Sequence, residues 1–258
     1  MPIEVADLQP VAHVAAGAAA SLSRVRRDEP RVHCLTNTVA QSLTANLLLA
    51  VGAIPAMSLA LDEIDHLVAR SAALVVNLGM LDEARLPAIS RAVSVAVEHR
   101  IPWVLDPVMV DRSPVRLVFA RALLLHRPTV VRGNAAEIAA LGREAGPSAL
   151  AEDSGTVVAQ TGPVDVVCDA SRSIPLRSGH PLMTRVTGLG CALSALVAAF
   201  CAVERDPFEA AAQALLALGV AGEMAAETAA GPGSFQAALL DRLYTLDAAV
   251  LAARRRAE

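Results

Sequence analysis

The stretch "TVVRGNAAEIAALG", Thr129 to Gly142, carries the reading on which the fold turns. Three β-branched residues open it, and such side chains favour a pleated, half-buried strand. Arg132, Gly133 and Asn134 close that strand, and an alanine-rich helix follows at once. Asn134 stands where a helix N-cap belongs, with Glu137 three residues on, which is the spacing of a capping box. A strand that passes through a polar turn into a helix is half of a βαβ unit, and repeated units build a parallel sheet covered by helices.

The unit recurs along the 258 residues. Strands are predicted at 32–35, 54–58, 73–77 and 102–106, and helices at 40–51, 61–70, 81–100 and 113–126. Asp62 and Glu63 fall in the first turn predicted for the 61–70 helix, and Ser113 and Pro114 supply an N-cap and an N1 proline to the last. Residues 1–28 read as a further helix, stopped by Pro30. After Gly142 the rhythm changes. Three short strands in close succession, 156–162, 165–169 and 173–176, read as an antiparallel addition to the sheet edge. Three helices, 190–203, 207–226 and 234–254, complete the chain. With no internal repeat or linker, residues 1–258 are expected to form a single α/β domain.

Composition narrows the function. Hydrophobic residues make up 54% but aromatics only 2%, so Ala, Val and Leu must fill the core. A net charge of −4 gives no broad basic surface, so nucleic acid is not an expected partner. All 22 basic residues are arginine, which excludes a P-loop lysine and a Schiff-base lysine. Cys34, Cys168, Cys191 and Cys201 show no C-x-x-C pairing, so structural zinc is not expected. The opening residues lack a secretory pattern, and the apolar runs are interrupted before about 18 residues, the length a membrane span needs. A cytoplasmic protein away from the membrane is the expectation.

Open parallel sheets bind ligands outside the carboxyl ends of their strands. The predicted strand ends bring Thr36, Asn37, Met57, Asn77, Gly79, Asp106, Arg132, Gly133, Asn134, Thr161 and Gly162 to one rim. Asp106 and Glu137 read either as a turn aspartate and a capping glutamate or as two carboxylates beside Mg²⁺, which takes one or two carboxylates with waters and phosphate oxygens. Arg132 reads as a phosphate partner or a surface ion pair. "VTGLGC", 186–191, is expected to come off a β-rich stretch, turn through Gly188 and Gly190, and enter a helix near Cys191. Unpaired amide N–H groups at such a helix start form an anion site. Cys191 there is either a small buried hydrophobe or a thiol of lowered pKa able to take a proton from a substrate hydroxyl. The helix it opens, "CALSALVAAFCAV", is apolar around its whole circumference and is expected to be buried on all sides. Histidines show no metal spacing, and His180 alone lies near the active loop.

Several stretches resemble one known family. They are "VHCLTNTVAQSLTANLLLAVGAIPAM", "SAALVVNLGML", "VLDPV", "RGNAAEIAAL", "TGPVDVV", "GHPLMTRVTGLGC" and "GPGSFQAALLDRLY", in family order across residues 31–246. The chain is similar to the hydroxyethylthiazole kinases of the ribokinase-like superfamily. The resemblance implies a three-layer α/β/α fold with a mostly parallel sheet and an antiparallel edge. It implies phosphorylation of the hydroxyethyl arm of 4-methyl-5-(2-hydroxyethyl)thiazole by ATP with Mg²⁺, in thiamine salvage, by a homotrimer with sites between subunits. Carried over by match, Arg132 and Thr161 meet ATP, Asp106 and Glu137 the magnesium, and Asn37, Met57 and Gly79 the thiazole. Gly188 and Gly190 build the anion hole, with Gly188 also reaching the substrate. Cys191 stands where the wider superfamily has an aspartate base. The sequence departs from the pattern at Leu189, at Met80 after "NLG", in "DPVMVDRSP", and in the short segment 143–155. Kinases of the hydroxymethylpyrimidine or pyridoxal type, or a thiazole-binding relic with little turnover, are the alternatives. A dinucleotide oxidoreductase ranks last, because no G-x-G-x-x-G follows the first strand.

Overall fold

The computed structural model describes residues 8–254. Its elements run α1 (Leu8–Asp28), β1 (Arg31–Leu35), α2 (Gln41–Val51), β2 (Ile54–Ala56), α3 (Ile64–Ala69), β3 (Ala73–Asn77), α4 (Arg85–Glu98), β4 (Trp103–Asp106), α5 (Pro114–Leu124), β5 (Val130–Asn134), α6 (Ala135–Leu141) and α7 (Gly146–Ser154). There follow β6 (Val157–Thr161), β7 (Asp165–Cys168), β8 (Ser173–Leu176), a 3₁₀ turn (Pro181–Arg185), α8 (Leu189–Cys201), α9 (Pro207–Ala226), α10 (Pro232–Thr245) and α11 (Ala248–Arg254).

All eight strands form one sheet in the order β2-β1-β3-β4-β5-β6-β7-β8. β1 to β6 are parallel, and β7 and β8 add an antiparallel edge. Each central strand alternates its apolar residues between two cores. Val75, Val104 and Val130 face one core, with α1, α2, α8, α9 and α10. Leu74, Leu105 and Val131 face the other, with α3 to α7. This is the expected three-layer arrangement, and both faces of the sheet are covered because the βα crossovers place helices there.

α8 lies in the core as its all-round apolar surface requires, and every residue from Ala192 to Cys201 is buried. α2 ends on Gly52 in a left-handed conformation at φ 91°, and Ser113 caps α5 by accepting the Arg116 N–H.

Boundaries moved where local polar contacts overrode periodicity. The 61–70 helix starts only at Ile64, so Asp62 and Glu63 precede it. α4 starts at Arg85 because Asp82 Oδ1 accepts the N–H groups of Ala84 and Arg85 in a turn ahead of it. The 234–254 segment is two helices, broken at Leu246 and restarted by Asp247, whose carboxylate accepts the Val250 N–H. Of the helix expected over 1–28, residues 1–7 lie outside the described residues. Glu209, Gly219, Gly222 and Glu223 interrupt the apolar run of α9. Its 20 residues are long and apolar enough by length and composition, yet most of that helix is buried inside the fold, as a core helix.

Candidate active site

The floor of the site follows from strand register. Asn77 and Asp106 are cross-strand partners at the ends of β3 and β4. Asp106 is 1% exposed. Asn77 Nδ2 donates to its Oδ2 at 2.7 Å, and Ser194 Oγ, from α8, donates to the same oxygen at 2.9 Å. Oδ1 is buried and has no donor. Burial pushes this carboxyl up to about 6; nearby Arg132 opposes the rise and Glu137 adds to it.

α8 begins at Leu189 rather than near Cys191, so Gly190 lies within its first turn. A 3₁₀ turn, not a strand, leads into it. Gly188 alone needs glycine's freedom, at φ 81°, and a Cβ there would lie 3.1 Å from Ala40 Cα ahead of α2. Gly190 matters for space: a Cβ would lie 2.8 Å from Arg132 Nη1, so the guanidinium sits against the first turn of α8. The Leu189 N–H is paired with the Val186 carbonyl and the Ala192 N–H with that of Gly188. Among the described residues, the N–H groups of Gly190 and Cys191 between them have no backbone acceptor. Two amide N–H groups at the start of α8 thus stand without a backbone partner, those of Gly190 and Cys191 rather than of the two glycines, with Arg132 beside them.

Arg132 is no surface ion-pair residue. Its Nη2 donates to Thr161 Oγ1 at 2.7 Å, and that hydroxyl donates to the Gly133 carbonyl. Its Nε is buried without an acceptor. Arg132, Thr161, Leu189 and Gly190 line a cavity of about 770 Å³. Residues of the 177–184 loop, with His180, and Leu218 of α9 line it too. A smaller hollow, about 320 Å³, lies at the amino ends of β4 and β5, away from this rim.

Cys191 requires a correction. Its thiol is not lowered by the helix start: burial, with Asp106 next, pushes it up to about 11. Taking the sulfur out of water disfavours the thiolate, and Asn77, Asn37 and Arg132 beside it offset only part of that rise. Asn37 Nδ2 contacts Sγ at 3.3 Å and also donates to Asn77 Oδ1 at 3.1 Å. A Cβ on Gly79 would lie 2.8 Å from both Asn37 Nδ2 and Asn77 Oδ1, so glycine lets the chain cross this floor.

Glu137 fills the capping role in full. Oε2 accepts the Asn134 N–H, and Asn134 Oδ1 accepts the Glu137 N–H. Its other oxygen, Oε1, accepts the Met109 N–H at 2.9 Å and holds the 107–113 loop. The capping carboxylate also lies close enough to Asp106 to raise its pKa.

The rim brings together Asn37, Gly79, Asp106 and Cys191, and beside them Arg132, Thr161, Gly190 and Glu137. Met57 sits past the end of edge strand β2 and packs against the α8-side core, with no hydrogen bond to that group. Sequence reasoning assigned no role to Asn77, Ser194 or Arg85. Ser194 had a signal, being the one hydroxyl within the apolar run of α8, where a serine needs a buried partner. Arg85 had none; its buried guanidinium donates to the Thr36 carbonyl at 2.7 Å and holds the β1 loop.

The hydroxyethylthiazole kinase family model matches residues 22–149 and 147–249. A probable hydroxyethylthiazole kinase of Agrobacterium fabrum is 47% identical over 229 residues, 89% of each chain. The solved structure of a hydroxyethylthiazole kinase from Pyrococcus horikoshii superposes with a TM-score of 0.87 at 37% identity, covering 90% of this chain and 94% of that one. A ribokinase-like superfamily protein of Enterococcus faecalis shares the fold alone, at a TM-score of 0.65 and 13% identity over 85% of this chain and 88% of that one.

Proposed function

The chain belongs to the hydroxyethylthiazole kinase family, and from that membership we propose how its rim moves a phosphoryl group from ATP to the hydroxyethyl arm of 4-methyl-5-(2-hydroxyethyl)thiazole in thiamine salvage. The observation that carries the proposal is the junction of Arg132 with the free N–H groups of Gly190 and Cys191. ATP occupies the cavity beside Arg132 and Thr161, with its terminal phosphate at the start of α8. The substrate oxygen bonds to the terminal phosphorus while the bond to the ADP oxygen breaks. Such transfers run through a loose transition state, so the hydroxyl needs little prior deprotonation. Its proton leaves late, to the transferred phosphoryl oxygens. Cys191 meets the hydroxyl as a neutral thiol and orients it, which suits its raised pKa better than the role of resident base. Fixed amide donors at that point contribute about 3 kcal/mol each to the transition state.

The residues fit Mg²⁺. Asp106 presents a buried oxygen without a donor, and Glu137 lies close by with both oxygens anchored, leaving outer lone pairs for metal-bound water. When bound, the ion draws charge from the phosphate oxygens. Asn37, Met57 and Gly79 take the thiazole side, and Gly188 shapes the bend between them and the phosphate.

None of Asn37, Met57, Gly79 or Asp106 lines the cavity beside Arg132, so the thiazole side lies apart from the nucleotide cavity. The reading includes a homotrimer in which a neighbouring subunit completes that side. One ribokinase-like domain over 1–258, in a cytoplasm that keeps its four free cysteines reduced, completes the reading.

The test is phosphorylation from ATP and Mg²⁺ across hydroxyalkyl thiazoles, hydroxymethylpyrimidines and pyridoxal. Preference for the thiazole by a hundredfold or more in kcat/KM is expected. Preference for pyridoxal or the pyrimidine, or thiazole binding without ADP formation, overturns the assignment.

A further inference from the structure

Among the described residues, seven non-glycine residues have φ in the left-handed region: Glu29, Met80, Arg100, Met109, Arg127, Arg143 and Glu144. Five of them follow the ends of α1, α4, α5 and α6, where such a residue is an ordinary way to stop a helix. The remaining two are both methionines. Met80 (φ 54°) lies three residues beyond Asn77, and Met109 (φ 61°) three residues beyond Asp106. These are the two cross-strand partners that form the site floor. A bulky side chain held at such φ costs about 1–3 kcal/mol and persists only where its surroundings enforce it.

Each methionine has one hydrogen-bond contact beside that floor. The Thr38 hydroxyl contacts Met80 Sδ at 3.1 Å, and Thr38 adjoins Asn37, which touches Cys191. The Met109 N–H is held by Glu137. Yet neither side chain is packed away: Met80 is 50% exposed and Met109 46%. Met80 is thus held at its sulfur and Met109 at its backbone, each about half exposed beside a polar floor.

We infer that Met80 and Met109 are specificity-determining residues that grip the ring of the alcohol substrate. The occupant is a flat, weakly polar heteroaromatic ring, which a thioether contacts favourably at face or edge. Sugars and other polyols, whose hydroxyls would face sulfur without a partner, are excluded. The inference rests on the kinase reading above, because that reading places the ring beside Cys191.

The experiment compares the wild type with Met80→Ala, Met109→Ala and the two Leu variants. It measures thiazole and ATP KM, kcat, thiazole affinity by calorimetry without nucleotide, and mass by light scattering. Each Ala variant is expected to raise thiazole KM and Kd about five- to tenfold, the loss of roughly half a buried methionine. ATP KM and kcat should stay within about twofold, and each Leu variant should recover most of the affinity. Thiazole affinity within twofold of wild type in both Ala variants overturns the inference and leaves the kinase reading intact. Dissociation of the oligomer with unchanged thiazole affinity overturns it too, assigning the methionines to a subunit contact. A wild type that binds no thiazole overturns both readings.

Discussion

Asp106→Asn should stabilise the protein while abolishing its activity. In the folded chain the carboxyl titrates at about 6, against an ordinary value of 3.8. Between those two pH values the unfolded chain has lost the proton that the folded chain still holds. Stability therefore falls as pH rises from about 4 to 6, and above 6 the penalty is constant, at about 3 kcal/mol. Asparagine carries no charge and escapes this. Its carbonyl can keep the donations from Asn77 and Ser194, but its amide nitrogen then replaces the undonated Oδ1. Burying that N–H₂ without an acceptor costs about 1–2 kcal/mol. The net gain is about 1–2 kcal/mol at pH 7.5, turning into a loss of about 1–2 kcal/mol at pH 4. Urea unfolding in EDTA, at fixed protomer concentration and followed by fluorescence of the single buried Trp103, measures both. Added Mg²⁺ should narrow the gap at pH 7.5, because the ion stabilises the carboxylate. A variant less stable than wild type at pH 7.5, or a difference that does not change with pH, refutes the claim of a strained buried charge.

Gly190→Ala should raise ATP KM tenfold or more, because the added methyl drives Arg132 from the start of α8; initial-rate kinetics check this, and an unchanged ATP KM removes that contact from the nucleotide site. Glu137→Gln should cut turnover strongly while leaving thiazole binding nearly intact. It should also cost about 1–2 kcal/mol, since the amide cannot accept from both Asn134 and Met109 at once; turnover and urea midpoints decide it, and unchanged turnover takes Glu137 out of the magnesium site. Cys191→Ala should lower kcat without abolishing it. With the thiol at about 11, alkylation of Cys191 by iodoacetamide should be slow at pH 7.5 and accelerate toward pH 10; fast modification at neutral pH, read by mass spectrometry, would restore the thiolate base.

The sequence by itself determined the layers and the rim. Period and β-branching in runs such as Val130–Val131 and Ala73–Val76 are set by which faces must leave water. The capping box at Asn134 and Glu137 and the all-round apolar surface of α8 depend on neighbours a few residues away. Short-range chemistry of this kind is legible along the chain. What only the tertiary structure decided is electrical and steric. The Cys191 thiol rises rather than falls because desolvation depends on every atom packed around it, and no spacing in "VTGLGC" reports that. Asn77 and Ser194 converge on one oxygen of Asp106 from a neighbouring strand and a helix 88 residues further on. Met57, at an edge-strand end, looked equivalent to the other rim residues in sequence, and only the fold showed it packed on the α8-side core. Burial and charge act through space, so their outcome was fixed only when the sheet closed under α8.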